Sequence, residues 1–249
     1  MIFCLVSCAS KNYISQNYEN IKADQFLDSQ VKQTCNEKTE IKIDGLLSKL
    51  NKTSDVDARV SLWYQLGNCY CVNQDFLLGT YFYSLFITAN VDDREKKSKV
   101  LANMGVMMDF KNQKFMALEY YNKAIKLNPK NLGAIYLKGI FLIKTGEYEE
   151  AKRVFNYLVR YYPRSRVLRS AQAVTFFLSS DLKSLRDKVL IFLDDKEKEI
   201  FSLSIALKSK SATSKVVERL EGLHSDINFV NEFKEAILFN LENDESFKN

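Results

Sequence analysis

Small and large apolar residues recur along the middle of the chain in a fixed order. Gly105 is followed by Ala117, Tyr121, Ala124 and Pro129. Gly139 is followed by Ala151, Phe155, Leu158 and Pro163, every offset being 34 residues. Ala117 and Tyr121, like Ala151 and Phe155, are four apart and therefore share one face of a helix. The proline then ends that helix, because it cannot continue the hydrogen-bond ladder. Such a repeat predicts two antiparallel helices per unit, with glycine and alanine where helices approach and the large residue filling the gap. Stacked units of this length make an α-solenoid.

The pattern resembles the tetratricopeptide repeat family. The stretches "LANMGVMMDFKNQKFMALEYYNKAIKLNPKN" and "IYLKGIFLIKTGEYEEAKRVFNYLVRYYPRS" carry it, and "SLWYQLGNCYCVNQDFLLGTYFYSLF" is a third copy. In that copy Trp63, Leu66, Gly67 and Tyr70 match the first helix, and Gly79 and Tyr83 the second. The step from Gly67 to Gly105 is 38, so four extra residues precede the next unit. Beyond residue 165 the glycine and proline disappear, although "VLRSAQAVTFFLSS", "LKSLRDKVLIFL", "EKEIFSLSIALKS", "SKVVERLEGL" and "INFVNEFKEAILFNL" still read as amphipathic helices. The expected organisation is all-α. A capping helix region at 37–59 leads into three repeats at 60–165. Degenerate helical repeats with a last capping helix follow at 166–249, in one stack with no internal boundary.

The N-terminus reads "MIFCLVSCASKN". Leu5, Val6, Ser7 and Cys8 resemble the lipobox of bacterial lipoproteins, which implies cleavage before Cys8 and acylation of that cysteine. Residues 1–7 are then a short signal, lacking the positive leading region of a normal one, and 8–36 a polar tether. On this reading the protein sits in a bacterial cell envelope, lipid-anchored on the periplasmic side of the outer membrane; the alternative is a cytoplasmic protein without lipid. No stretch of about 20 apolar residues is present, so no internal membrane span is expected.

Charge and chemistry change the picture little. The net charge of +5 conceals a basic stretch, 98–170, with 14 Lys and Arg against 5 Asp and Glu. It reads as a solvated face, or as a patch for an acidic protein or an anionic lipid surface. No nucleic-acid reader motif accompanies it. The single histidine, His224, has no serine, cysteine or carboxylate at a catalytic spacing, and the eight glycines form no phosphate loop. Cys69 and Cys71 point to different sides of one helix and do not pair in a metal knuckle. The sequence therefore points to neither an enzyme, a cofactor nor a metal.

The family resemblance implies a groove lined by the first helix of each unit. By register its residues are Tyr64, Asn68, Cys71 and Val72; Ala102, Val106, Asp109 and Phe110; Tyr136, Ile140, Ile143 and Lys144; then Val174 and Phe177. Chaperone-docking members grip a carboxylate with two asparagines and three basic residues. Asn68 and Asn103 keep the asparagines, but Tyr64, Gly133 and Leu137 stand at the basic positions, which excludes that role. The expected partner is a protein segment, extended or helical. The resemblance to small lipoproteins of this class implies assembly of an outer-membrane complex, either a pilus secretin or the β-barrel machinery. An adaptor for peptidoglycan hydrolases and a cytosolic adaptor are the alternatives.

Overall fold

The computed structural model describes residues 39–89, 92–163, 165–208 and 214–242. Cys8 and the expected signal and tether lie outside them. All regular structure among the described residues is helical. Helix α1 is Thr39–Lys52, α2 Val56–Val72, α3 Phe76–Thr88, α4 Arg94–Phe110, α5 Lys114–Leu127, α6 Leu132–Thr145, α7 Tyr148–Tyr161 and α8 Arg166–Leu178. A composite α9 follows, α over Leu182–Ser184, π over Leu185–Val189 and 3-10 over Leu190–Phe192. Then come α10, Asp195–Lys208, α11, Ser214–Glu221, and α12, Asn228–Glu242. Three helical hairpins, α2–α3, α4–α5 and α6–α7, span the stretch where three repeats were expected.

The helices start and stop where local chemistry dictates. Asp55, Asp75, Asp93 and Ser165 each accept a bond from the backbone N–H three residues on, satisfying a donor that the first turn leaves free. Each hairpin turn passes through one left-handed residue: Gln74, Asn112, Gly146 and Ser180, with φ of 62°, 57°, 86° and 62°. The residue after each donates back five positions, to Tyr70, Met108, Leu142 and Phe176. This is the bond that ties off free carbonyls at a helix end. The steps 74–112, 112–146 and 146–180 reproduce the sequence register, so the fourth turn keeps the repeat after its glycine is gone.

Contacts divide the chain into two compact units, one ending at Phe141 and the other beginning at Leu142. The cause is the end of the chain, where α8 to α12 close around a core of their own, including Phe177, Ile200, Phe201, Val230 and Phe233. In the first unit α1 and α2 share a core of Ile43, Leu46, Leu62 and Leu66 with Phe82 of α3. Ala102, Ala124 and Ala134 let α4, α5 and α6 meet closely. Ser98 donates to the Ala124 carbonyl (2.8 Å) and accepts from Asn131 (2.9 Å), which also caps α6 through Ala134.

Candidate functional site

The glycine positions do what the spacing predicts. A Cβ on Gly67 would fall on the ring of Tyr83, and one on Gly105 would lie 2.7 Å from the ring of Tyr121. The second helix of each hairpin thus lays an aromatic ring over the bare backbone of the first. In the α2–α3 hairpin that ring carries a polar ladder. The Tyr83 hydroxyl donates to Asn68 Oδ1 at 2.6 Å and accepts from Asn103 Nδ2 at 2.8 Å. Asn68 is 1% exposed and its Nδ2 has no partner. An unmet buried donor is costly. Burial pushes the nearby Cys71 thiol up to about 12, with a smaller opposite pull from Tyr83. A thiol of that kind is inert at neutral pH. Among the described residues neither Cys69 nor Cys71 forms a disulfide.

Eight of the fourteen residues expected to line the groove are interior. Tyr64, Asn68, Ala102, Val106, Tyr136, Ile140, Val174 and Phe177 are all buried. Cys71, Asp109, Phe110, Ile143 and Lys144 are half-buried, and Val72 is exposed. The reason is aromatic bulk within each unit. Tyr64 packs on Phe86 (5.3 Å), Phe110 stacks on Phe76 (5.0 Å) and Phe177 meets Phe233 edge-on (5.0 Å). Burial also drives the Tyr136 hydroxyl well above the ordinary tyrosine range. These side chains pack helix against helix.

Sequence reasoning missed a different surface. In the first unit Leu77 (75%), Leu78, Tyr81, Phe115 (92%) and Met116 are exposed. Leu77 and Phe115 are the same repeat position, 38 residues apart like Gly67 and Gly105. The Phe76–Phe110 stack joins the start of α3 to the end of α4, and a three-residue turn leads on to α5. Both apolar tips therefore belong to one edge of the unit. Asn73, Gln74, Asn112 and Gln113 lie in the adjoining turns and are exposed, as are Lys111 and Lys114. The mean apolarity of α3 was the available signal: "FLLGTYFYSLF" has too many large side chains for one buried stripe.

The second unit holds an ionic cluster. Arg166 donates to Asp226 (2.8 and 3.0 Å), to Glu197 (3.0 Å) and to Asp194. Asp194 caps α10 by accepting from the Glu197 N–H at 2.8 Å, as the sequence predicts for a carboxylate at a helix start. Glu197 is fully buried, and desolvation raises its carboxyl even with Arg166 beside it. Asp226 is held below its usual range by Arg166. The three carboxylates lie close enough to hold a cation, but the guanidinium already fills that role. This cluster ties the starts of α8 and α10 to the segment before α12. His224 is exposed in that same segment.

Tetratricopeptide repeat family models match residues 98–131 and 117–174. An uncharacterized protein of Methanocaldococcus jannaschii is 40% identical over 65 residues, 26% of this chain and 76% of that one. The photosystem I assembly protein Ycf3 of Acaryochloris marina is 30% identical over 95 residues, 35% of this chain and 55% of its own length. A crystal structure of a tetratricopeptide repeat protein from Parabacteroides merdae aligns over 90% of this chain and 99% of its own, at 16% identity and a TM-score of 0.44. The matched stretch holds Gly105 beneath the Tyr121 ring and the turns at Asn112 and Gly146, 34 residues apart. Residues 98–174 of the chain are tetratricopeptide repeats.

Proposed function

We propose that the protein is a non-enzymatic scaffold that holds another protein through the apolar edge of its first unit. The observation that carries this is the exposure of Leu77 and Phe115, at 75% and 92%, beside Tyr81 and Met116. Large apolar side chains on one edge, rimmed by polar residues and by Lys111 and Lys114, have the make-up of an interface with an apolar centre and a polar rim. The partner meets it with an apolar segment of its own. The related photosystem assembly protein is named for an assembly role, and assembly of a larger complex is the role proposed here.

Anchoring at Cys8 would hold this scaffold at the outer membrane, with the tether 8–36 setting its reach. Cell fractionation tests the anchor: Cys8→Ser is expected to move the protein from membranes to the soluble fraction. An intact, unmodified Met1 on the native protein defeats it and leaves the cytosolic alternative. Site-specific photocrosslinking from position 81 identifies the bound protein, and Leu77→Ser with Phe115→Ser is expected to abolish that crosslink. An undiminished crosslink in the folded double variant rejects the edge as the site.

A further inference from the structure

The basic stretch 98–170 runs through helix α7, where its charges stand beside exposed aromatic rings. Arg153, Tyr157, Arg160 and Tyr161 recur at helical spacing, so they share one side of α7, and all four are exposed. Ala151, Phe155 and Leu158 are buried on the opposite side, so the outer four do not make the core. The two phenols hold each other, with hydroxyls 3.0 Å and ring centres 5.1 Å apart. One proton lies between the two oxygens, and the other hydroxyl proton remains for a partner. Lys152 engages Glu149 and Asp181. Among the described residues no ion pair holds Arg153 or Arg160.

Helix α9 extends the same surface within the second unit. Both α7 and α9 pack on α8. Their first turns are joined by Lys152 and Asp181, 3.6 Å apart. Their ends meet at Arg169 of α8, which donates to the Pro163 carbonyl at 3.0 Å and lies 3.8 Å from the centre of the Phe192 ring. The two helices therefore run side by side in one direction. Ile191, 64% exposed, and Phe192, 48%, stand at the end of α9 as Tyr157 and Tyr161 do at the end of α7. Tyr157 and Ile191 occupy the same repeat position, 34 residues apart. The exposed charges of α9 are Lys183, Arg186, Asp187 and Lys188, which keep the face positive on balance. Tyrosine and arginine are the side chains that most often dominate binding at an interface. A planar guanidinium matches the two oxygens of a carboxylate, and the spare phenol proton is a further donor to one.

We propose that the outer face of α7 and α9 binds an acidic segment of another protein, its carboxylates on Arg153 and Arg160 and its apolar side chains against Tyr157, Tyr161 and Ile191. An anionic bilayer fits less well, because its plane would press charge onto the exposed Glu149 and Asp187 of the same helices. A narrow segment reaches the arginines without covering those acids. The probe is a fluorescein-labelled helical peptide with glutamates and leucines along one side, titrated into the full-length chain. A second peptide carries glutamine at every glutamate. The acidic peptide is expected to bind, less tightly as salt is added, and the glutamine peptide to bind roughly tenfold or more weakly. Arg153→Gln with Arg160→Gln is expected to weaken the acidic peptide by roughly tenfold or more and to leave the urea midpoint near the wild type. No uptake of the acidic peptide, equal uptake of both peptides, or unchanged affinity in the folded double variant overturns the proposal. Should that variant fail to fold, the two peptides on the wild-type chain decide. Vesicles of phosphatidylcholine and phosphatidylserine are mixed with the Cys8→Ser chain, so that no lipid anchor contributes. Sedimentation with the vesicles and no uptake of the acidic peptide would give the face to a membrane and overturn the protein segment. The face lies in the other unit from Leu77 and Phe115, so its failure and loss of the crosslink from position 81 are separate results.

Discussion

The two units solve one packing problem with different amounts of sequence signal. In the first, Gly67 and Gly105 lie bare beneath Tyr83 and Tyr121, and the spacing that requires this is visible along the chain. In the second, the last hairpins keep neither glycine nor proline, yet Ser180 holds the left-handed turn at the register of Gln74, Asn112 and Gly146. The turn survives because any helix end needs its carbonyls satisfied, and a short polar residue can do so with modest strain. At the glycine register stands the fully buried Ala173, and Phe177, Phe201 and Phe233 pack in the same core. The surfaces diverge in parallel. Leu77 and Phe115 are exposed in the first unit, whereas the same position in the third repeat is the exposed Glu149. A repeat therefore constrains its turn more tightly than its interior, and its interior more tightly than its outer edge.

The largest expected effect tests whether the expected groove positions are interior. Tyr136→Ala removes a ring that is 6% exposed and should cost about 3 to 5 kcal/mol in urea unfolding, the usual range for a large-to-small core change. A cost below about 1 kcal/mol would return Tyr136 to the surface. Next comes the close approach of the first unit. Gly67→Ala sets a methyl against the Tyr83 ring and should cost about 1 to 3 kcal/mol, as overpacking does. Ser170→Ala, at a buried site in the second unit, adds no atom and removes only a hydroxyl bonded to the Arg166 carbonyl of its own helix, and should cost less.

The polar ladder gives a smaller effect. Tyr83→Phe removes the hydroxyl between Asn68 and Asn103 and should cost about 1 to 2 kcal/mol by leaving buried groups unmet. An unchanged urea midpoint would show that the ladder is idle. The smallest effect has the opposite sign. Ser180→Gly relieves a side chain held at φ 62° and should stabilise the protein by roughly 0.5 kcal/mol, since glycine adopts this conformation freely but loses more entropy on folding. By calorimetry that amounts to a rise of about 1 to 2 °C in Tm. Asn112→Gly should gain less, because asparagine tolerates the left-handed region better than serine.

Much of this fold was legible in the chain because its determinants are local. A glycine sixteen residues before an aromatic, a carboxylate at a helix start and a proline past a helix end act over one hairpin, and a sequence displays such spacing directly. Helix α9 was legible only as apolar periodicity; its change from α to π to 3-10 across Leu182–Phe192 is set by the fit of Leu185, Val189 and Leu193 into a core that no local pattern encodes. The site was less legible for the same reason. Register assigns Tyr64, Val106 and Phe177 to the face of the first helices, and they do lie on first helices. Whether that face is open depends on what arrives from elsewhere: Phe86 against Tyr64, and Phe233 against Phe177. The sequence by itself determined the hairpins, their turns and the family, because helix periodicity and capping are short-range. Only the tertiary structure decided which apolar side chains stay outside and where α12 lies, because burial depends on contacts between segments far apart in the chain.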